Sequence, residues 1–349
     1  MTTQNPRDYR MPAEWSPHAA TWLAWPHNAK DWPGKFQPIP WVYAEIVRHL
    51  SRVEDVHILV NDLAAEKRAT GILKRGGANL ARLHFHQWQT DRVWMRDSGP
   101  IFVKNQAGDL AATNWKFNAW AKYDNWHRDN LIPSLVVKHY DIPQLCPEVN
   151  GNRLVLEGGS IDTNGAGILL TTEECLLSEV QQRNPGVSRE ELESAFNQYL
   201  GIEKVVWLNR GCAGDDTHGH VDDITRFVGE NTILTAIEPN TADENHLPLA
   251  ENLERLREAR NLNGEPFEIV ALPMPAPVIF EGQRLPASYA NFYIANDLVL
   301  VPTFNDPNDR RALNIIADCF PTREVVGIHA VDLVWGLGTL HCMTQQEPA

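Results

Sequence analysis

One cysteine and one histidine of this 349-residue chain have side chains that could react together. Cys342 is nucleophilic as its thiolate, and a nearby imidazolium lowers the pKa of a thiol. His220 can supply that positive charge and can then donate and accept protons. The pair therefore indicates nucleophilic catalysis in a fold that brings the two side chains together.

Three carboxylates accompany this pair, and their number points to the substrate. They are Asp97, Glu157 and Asp222, the last of which follows two residues after His220. A hydrolytic triad needs only one orienting carboxylate. Additional carboxylates suit a cationic substrate, and a planar guanidinium with five N–H donors fits them best. The set therefore predicts attack of a thiolate on a guanidino carbon.

Each of these side chains also has a purely structural interpretation. Asp97 can shape the turn that follows it, and Glu157 can face solvent at the end of a strand. His220 and Asp222 can form a polar pair that lines a cavity. A lone cysteine such as Cys342 is more often an inert buried thiol than a nucleophile. The functional interpretation therefore depends on the convergence of all five residues.

Two rival chemistries use other residues. Cys212 lies eight residues before His220 and is the alternative nucleophile, although its glycine-flanked surroundings are typical of a packed turn. His220 and Asp222 with a distant histidine such as His329 would resemble the facial triad of an iron enzyme. That interpretation leaves Cys342 without a role, and we therefore expect no metal.

The elements that must position these residues form a repeat. Five segments share one order of a short apolar strand, a loop, an amphipathic helix and a second strand, and they recur at roughly sixty-residue spacings. Residues 188–191 are typical of a capping box at the start of one helix. The predicted elements are 20–25, 41–52 and 56–60; 110–117 and 130–140; 168–172, 189–200 and 204–208; 232–238, 247–260 and 267–272; and 298–304, 309–320 and 324–328.

Tight turns connect the successive segments. Turns rich in Gly, Asn and Asp at 105–109, 164–167, 229–231 and 295–297 suit positive φ and predict β-hairpins. The junction at 335–338 leads into a predicted strand over 339–344. Hairpins argue against a doubly wound parallel sheet, which does not need them. The pattern predicts an α/β fold with one closed, pseudo-fivefold domain over 1–349, whose polar strand ends gather round the axis.

The composition of the chain limits the binding partners and the cellular compartment that we expect. There are 31 basic and 45 acidic residues, and the resulting charge of −14 disfavours nucleic acid and attracts cationic small molecules. No apolar run is long enough to cross a membrane, and the N-terminus lacks the apolar core of a signal peptide. Five cysteines without paired spacing favour a reduced, cytoplasmic protein. A homodimer is the default expectation.

Longer motifs carry a family resemblance over nearly the full length. The chain resembles the agmatine deiminases, which are grouped with the bacterial-type peptidylarginine deiminases in the guanidino-modifying, or pentein, superfamily. The resemblance implies a five-bladed α/β propeller and no metal or organic cofactor. The motifs are Met11-Pro-Ala-Glu-Trp15, Trp94-Met-Arg-Asp-Ser-Gly-Pro100, Leu156-Glu-Gly-Gly-Ser160, Asp216-Thr-His-Gly-His-Val-Asp-Asp223, Ala287-Ser-Tyr-Ala-Asn-Phe-Tyr293 and His341-Cys-Met-Thr-Gln-Gln-Glu-Pro348.

The resemblance also implies a role for each site residue. Cys342 matches the nucleophile of the family, and His220 matches its catalytic histidine. Glu157 matches the acid that holds this histidine. Asp97 and Asp222 match the two carboxylates that clamp the guanidinium.

The expected reaction is hydrolysis of agmatine to N-carbamoylputrescine and ammonia through a covalent thiouronium on Cys342. We expect Trp94 to lie beside the substrate. Leu337 and Thr339 stand where the agmatine deiminases usually have Gly and Asn, which bears on substrate preference. The alternative is a peptidylarginine or other arginine-derivative deiminase with the same chemistry. A non-catalytic binder of guanidines or polyamines is a third hypothesis.

Overall fold

The structure, a computed structural model that describes residues 5–349, is built from repeated sheet units. In each unit a central strand pairs with an antiparallel neighbour on one side and, after a connecting helix, with a parallel strand on the other. Five sheets of three or four strands are arranged in this way. The α/β class predicted from the sequence is therefore confirmed.

The secondary-structure elements follow the predicted order. The strands are β1 (Tyr9–Arg10), β2 (His18–Ala24), β3 (Asp55–Leu59), β4 (Leu83–His86), β5 (Ile101–Asn105), β6 (Leu110–Thr113), β7 (Gln144–Leu145), β8 (Glu148–Val149), β9 (Asn152–Arg153), β10 (Asp162–Thr163), β11 (Ile168–Thr172), β12 (Lys204–Leu208), β13 (Thr225–Gly229), β14 (Thr232–Ile237), β15 (Glu268–Pro273), β16 (Ile279–Phe280), β17 (Gln283–Arg284), β18 (Tyr293–Ala295), β19 (Leu298–Thr303), β20 (Glu324–His329) and β21 (Gln345–Pro348). The α-helices are α1 (Ile39–Val53), α2 (Leu63–Gly76), α3 (Met95–Ser98), α4 (Ile132–Tyr140), α5 (Glu173–Leu177), α6 (Arg189–Leu200), α7 (His246–Glu258), α8 (Asn308–Cys319) and α9 (Leu340–Met343). Short 3₁₀ helices span Pro6–Asp8, Leu80–Arg82, Ala119–Ala121, Asp129–Leu131, Gly158–Ser160, Val221–Asp223 and Leu333–Gly336.

The first sheet is completed by a strand from the far end of the sequence. Its order is β21-β2-β3-β4, with β21 antiparallel to β2 and the other pairs parallel. The remaining large sheets are β1-β5-β6-β7, β10-β11-β12, β13-β14-β15 and β18-β19-β20. Helix α1 of the first unit also contacts β19 and β20 of the fifth. The chain thus closes on itself, and its description as a five-bladed propeller stays a prediction.

Local sequence signals explain where the helices begin and end. Helix α6 starts with the predicted capping box, in which Ser188 and Glu191 satisfy each other's backbone amides. It ends before Gly201, whose φ of +69° is favourable for a residue without a Cβ. Helix α1 buries Tyr43, Val47 and Leu50 at helical spacing. Across the described residues 5–349, none of the helices combines the length and apolar character that a membrane span requires.

The predicted strand over 339–344 is wrong. Residues Leu340–Met343 form the short helix α9, and the strand begins only at Gln345. Residues 335–338 are likewise no hairpin, because a 3₁₀ helix ends at Gly336. Residues 339–344 are all buried, and a short buried run of that kind has no period that separates strand from helix.

The polar motifs lie on short helical turns, which corrects their predicted placement on strands. Asp97 lies in α3, Asp222 lies in a 3₁₀ turn, and Glu157 directly precedes another. Cys342 lies in α9. The next strand in each case is β5, β13, β10 or β21, the antiparallel strand that opens a sheet unit. The predicted equivalence of the four positions is therefore found. The strand predicted over 110–117 ends earlier, at Thr113.

Candidate active site

A cavity of about 590 Å³ opens onto Cys342 and Asp97. Trp94, Trp120 and Trp335 form aromatic parts of its wall. Aromatic faces provide flat apolar surfaces against which a planar cation or an alkyl chain can pack. Trp94 thus lies at the cavity that contains the predicted nucleophile.

The other predicted site residues lie directly behind this cavity wall, almost completely buried. His220 Nδ1 is 3.9 Å from Asp97 Oδ1, and His220 Nε2 is 3.7 Å from Glu157 Oε2. Cys342 Sγ lies 3.9 Å from Asp222 Oδ2. The structure therefore brings together the five residues that the sequence singled out. The solvent-facing interpretation of Glu157 is wrong, because its side chain is fully buried.

Gly159 provides the space in which these groups meet. A Cβ atom on this residue would lie 2.6 Å from His220 Nδ1, 2.9 Å from Asp97 Oδ1 and 3.0 Å from Asp222 Oδ2. The Gly159 amide donates a hydrogen bond of 3.1 Å to Asp97 Oδ1. Glycine is thus required here by the close approach of three side chains.

His220 is positively charged in this environment. Burial opposes the charge, but the Asp97 carboxylate and the neighbouring Cys175 and Glu157 side chains raise the pKa of His220 well above its usual value. Burial would also raise the pKa of Glu157, yet the charges of Arg183 and His220 lower it to about 2. Arg183 Nε donates to Glu157 Oε1 at 3.1 Å. Glu157 is therefore a fixed anion beside the imidazolium.

Cys342 is held as a thiol in the absence of a cation. Burial raises its pKa well above the usual value, and the carboxylates of Asp222, Asp223 and Asp97 raise it further. A cation bound among these carboxylates would offset their field and favour the thiolate. Burial also raises the pKa of Asp97 to about 6, although the charge of His220 opposes this shift. The indole N–H of Trp120 donates to Asp97 Oδ2 at 2.9 Å.

The sequence reasoning missed Asn291, which contacts Cys342. Its side-chain amide donates to Asp223 Oδ1 at 2.9 Å and to Cys342 Sγ at 3.1 Å. Its oxygen accepts from the Thr339 hydroxyl at 2.7 Å and from the His341 amide at 3.0 Å. Asn291 belongs to the motif 287–293, which was noted only as part of the family resemblance. A neutral amide has no titratable group that would single it out in a sequence.

Asp31 and Asp216 line the outer cavity, and each is paired with a basic side chain. Arg92 Nη1 is 3.2 Å from Asp31 Oδ1, and burial raises the pKa of Asp31 to about 6 against the opposing charge of Arg92. Asp216 pairs with Lys122 and accepts a hydrogen bond of 2.7 Å from the Tyr123 hydroxyl. Leu337 also lines the cavity, with a φ of +68° that favours the glycine usual in the family.

The rival residues are not part of this constellation. Cys212 is buried but does not line the cavity, and burial with the charges of Asp223 and Asp215 raises its pKa well above the usual value. His329 is exposed at the end of β20, whereas His220 and Asp222 are buried. The iron-type triad is therefore not assembled.

Two groups of donor atoms are close enough to hold a metal ion. One consists of Glu157, Cys175 and His220, and the other of Asp222, Asp223 and Cys342. In the first group Arg183 already neutralises the Glu157 carboxylate, which disfavours a further cation. The absence of a metal stays a prediction.

Comparison with known proteins identifies the family. Residues 10–348 match the model of the Porphyromonas-type peptidyl-arginine deiminase family. An agmatine deiminase of Pseudomonas syringae pv. tomato is 33% identical, over 100% of this chain and 99% of the relative. The solved agmatine deiminase of Enterococcus faecalis aligns with a TM-score of 0.90 and 29% identity, over 100% of this chain and 98% of that one. An agmatine deiminase of C. jejuni solved with substrate bound aligns with a TM-score of 0.86 and 29% identity, over 98% of this chain and 96% of that one. This chain therefore belongs to the Porphyromonas-type peptidyl-arginine deiminase family.

Proposed function

We propose that this protein is an agmatine deiminase, which hydrolyses agmatine to N-carbamoylputrescine and ammonia. The observation that carries the proposal is a buried thiol and a buried histidine, each in contact with carboxylates, at the inner wall of an aromatic cavity. Only a planar cation uses all of these groups together. The names of the full-length relatives agree with this assignment.

In the proposed first step, Asp97 and Asp222 bind the guanidinium and place its carbon next to Cys342 Sγ. The bound cation offsets the field of the carboxylates, so that the thiol gives up its proton. Sulfur then bonds to the guanidino carbon, and one C–N bond breaks. The thiol proton passes to solvent, ammonia leaves with a proton from His220, which is left neutral, and a positively charged S-alkylthiouronium remains.

In the second step, water hydrolyses this thiouronium. His220, neutral at this stage, takes a proton from the water as its oxygen bonds to carbon. The C–S bond then breaks, Cys342 recovers its thiol proton, and the ureido product is released. Glu157 holds the His220 ring and stabilises its charged form, as Arg183 keeps Glu157 ionised.

The outer cavity is the region that would receive the tail of the substrate. Asp31 and Asp216 supply negative charge for an ammonium group, while the tryptophan walls suit a methylene chain. Arg92 also lines the cavity and could accept a carboxylate, which favours the alternative of an arginine-derivative substrate. Relative turnover of the two substrate types decides between these proposals.

The first test is ammonia release from agmatine, free arginine and a peptide with a C-terminal arginine. We expect turnover of agmatine by the wild type and none by Cys342→Ala. Turnover of arginine or the peptide alone would retain the chemistry and change the substrate. Equal activity in Cys342→Ala would refute the proposed nucleophile. Binding of agmatine without any turnover in the wild type would favour a non-catalytic binder.

We further propose that the enzyme works in the reducing cytoplasm as a homodimer. All five cysteines are free thiols, which agrees with a reducing compartment. Light scattering at several protein concentrations measures the oligomeric state directly, and a mass equal to one chain would contradict the dimer.

A further inference from the structure

A buried chain of polar side chains begins at Asp222 Oδ2, the oxygen that also lies 3.9 Å from Cys342 Sγ, and the proposed mechanism does not use it. His341 Nδ1 is 2.7 Å from Asp222 Oδ2, and His341 Nε2 is 2.7 Å from Glu14 Oε2. The exposed fractions of Asp222, His341 and Glu14 are 0%, 1% and 4%. Two motifs that are distant in sequence, 11–15 and 341–348, therefore meet behind the candidate guanidinium site.

The contacts determine where the protons are. Both ring nitrogens of His341 lie at hydrogen-bond distance from carboxylate oxygens, and a ring that carries hydrogen on both nitrogens can donate to both. Arg226 Nη2 lies 2.7 Å from Glu14 Oε2, and Arg96 Nη2 lies 3.6 Å from the same oxygen. Burial opposes ionisation, but the charges of Arg226, His341 and Arg96 lower the pKa of Glu14 well below its usual value. Glu14 is thus an anion that orients the His341 ring through Nε2.

These contacts affect the ionisation and the orientation of Asp222. Burial alone would raise the pKa of this carboxyl, but the hydrogen bond and the charge of His341 outweigh burial and lower it. Oδ2 of Asp222 is engaged by His341, whereas Oδ1 is buried without a hydrogen-bond partner among the described residues. An unpartnered oxygen on a carboxylate that contacts Cys342 through its other oxygen is available to a guanidinium N–H.

We propose that Glu14 and His341 are positioning residues that keep Asp222 ionised and turn its Oδ1 toward the guanidinium of the substrate. Neither residue touches the substrate. The inference rests on the proposed function only in assigning Asp222 to the binding of a planar cation. It gives a role to Glu14 and His341, which the resemblance and the reaction left without one.

The test uses a probe that does not depend on the natural substrate. Chloroacetamidine is a planar cation that alkylates thiols, and chloroacetamide is its neutral counterpart. In both cases a bond forms between Cys342 Sγ and carbon, chloride leaves, and the thiol proton passes to solvent. The ratio of the two inactivation rates therefore measures how strongly the carboxylates attract a planar cation.

We expect His341→Gln to lower this ratio about tenfold, as is typical for loss of a charge-assisted hydrogen bond. We also expect the acid limb of its pH profile to move to higher pH, because Asp222 becomes easier to protonate. Glu14→Gln should change both quantities in the same direction. It provides a second test if His341→Gln does not fold.

His18→Gln is the matched control for removing a buried histidine. His18 Nε2 is 2.7 Å from the Glu14 backbone oxygen, and its Nδ1 is 3.4 Å from Glu54 Oε2, so it does not contact Asp222. We expect this variant to lose thermal stability without changing the ratio or the acid limb. An unchanged ratio and acid limb in folded His341→Gln and Glu14→Gln would show that the two residues are only structural, and would overturn the inference.

The same experiment separates this inference from the proposed function. A wild type that prefers chloroacetamidine but does not turn over agmatine would overturn the proposed substrate and leave the positioning roles testable. A wild type without that preference would remove the planar-cation site and with it the inference. Agmatine turnover by the wild type with no effect of either variant would retain the function and reject the positioning roles.

Discussion

The carboxylates around Cys342 have two opposing effects on catalysis, one on the substrate and one on the thiol. In the proposed mechanism they bind a cationic substrate, whereas in its absence their charges and burial raise the pKa of Cys342 and favour the unreactive thiol. Reactivity toward neutral thiol reagents is thereby kept low until a cation arrives. Substituting one carboxylate at a time measures its effect on substrate binding and its effect on the protonation of Cys342 separately.

The first prediction concerns Asp97→Asn. We expect this variant to lose deiminase activity because half of the guanidinium clamp is gone, while Cys342 reacts faster with neutral iodoacetamide because one of the charges that raise its pKa is removed. Labelling rates followed by mass spectrometry between pH 6 and 9 check this. The control is Cys342→Ala, which should show no labelling at that position. Slower labelling in Asp97→Asn would contradict the assignment of its charge effect.

The second prediction concerns Gly159→Ala. The added Cβ would lie within 3.0 Å of three site side chains, so at least one of them must move. A displacement of about 1 Å at catalytic groups is expected to lower kcat about a hundredfold. The control is Gly71→Ala in α2, where the nearest atom to a new Cβ is the flexible end of Arg75 at 3.8 Å. That control should keep full activity; equal loss in both variants would contradict the prediction.

At the scale of elements, the short helix α9 depends on a side chain from another part of the fold. The Asn291 oxygen accepts hydrogen bonds from Thr339 and from the His341 amide, at the first turn of α9. A four-residue helix has too few internal hydrogen bonds to be stable alone. The position of Cys342 is therefore set by tertiary contacts rather than by helix propensity.

The third prediction follows for Asn291→Ala. Because the buried groups of this turn lose their hydrogen-bond partner, the free energy of unfolding should fall by about 1–3 kcal/mol, and kcat should fall as well. Asn252→Ala is the matched control. Asn252 lies in α7, outside the cavity lining, and is also buried. Its side chain accepts a hydrogen bond from the Asn209 amide and donates one to the Arg210 backbone oxygen. Both variants should have a lower melting temperature than the wild type. At a temperature where both are folded, only Asn291→Ala should have a lower kcat. Retained kcat in Asn291→Ala would contradict its role.

The elements also show how far a sequence can be interpreted. Helix α6 and strand β12 match their predicted bounds, because a capping box and a terminal glycine mark the helix locally. The catalytic candidates were predictable because Cys, His and carboxylates are chemically distinctive. The helical turn at 340–343 was not, since its conformation is set by Asn291, some fifty residues away. Arg183 and His341 act through buried pairs whose partners only the fold brings together.

At the scale of the whole molecule, buried histidines make folding sensitive to acid. His57 Nδ1 and His86 Nε2 are 2.7 Å apart on the first sheet, with His84 and His139 nearby. Burial and the neighbouring histidines lower the pKa of His57 to about 3 and that of His86 to about 4. The unfolded chain, with values near 6.5, therefore binds protons at a higher pH than the folded protein. The stability that the neutral rings contribute is complete above about pH 6.5 and is lost as the pH falls toward 4.

The fourth prediction tests this linkage. The melting temperature of the wild type should fall between pH 7.5 and 5.0, and the fall should be smaller in the double variant His57→Gln/His86→Gln. Scanning calorimetry at both pH values gives the comparison. Exposed His329→Gln serves as the control and should follow the wild type. An equal fall in the double variant and the wild type would contradict the prediction.

The single-domain organisation predicted over 1–349 also belongs to this scale and stays a prediction. Two cooperative melting transitions in the same calorimetry would contradict it, whereas one transition is expected for a single folding unit.

The pairing of β21 with β2 has a consequence for biosynthesis. Because a ribosome makes proteins from the N-terminus, the first sheet has to wait for more than 300 further residues before its antiparallel edge strand exists. Cys342 emerges just ahead of that strand. A nascent chain therefore carries the histidine and all the carboxylates of the site before it carries the nucleophile, and chemistry can begin only when synthesis has passed the closing strand.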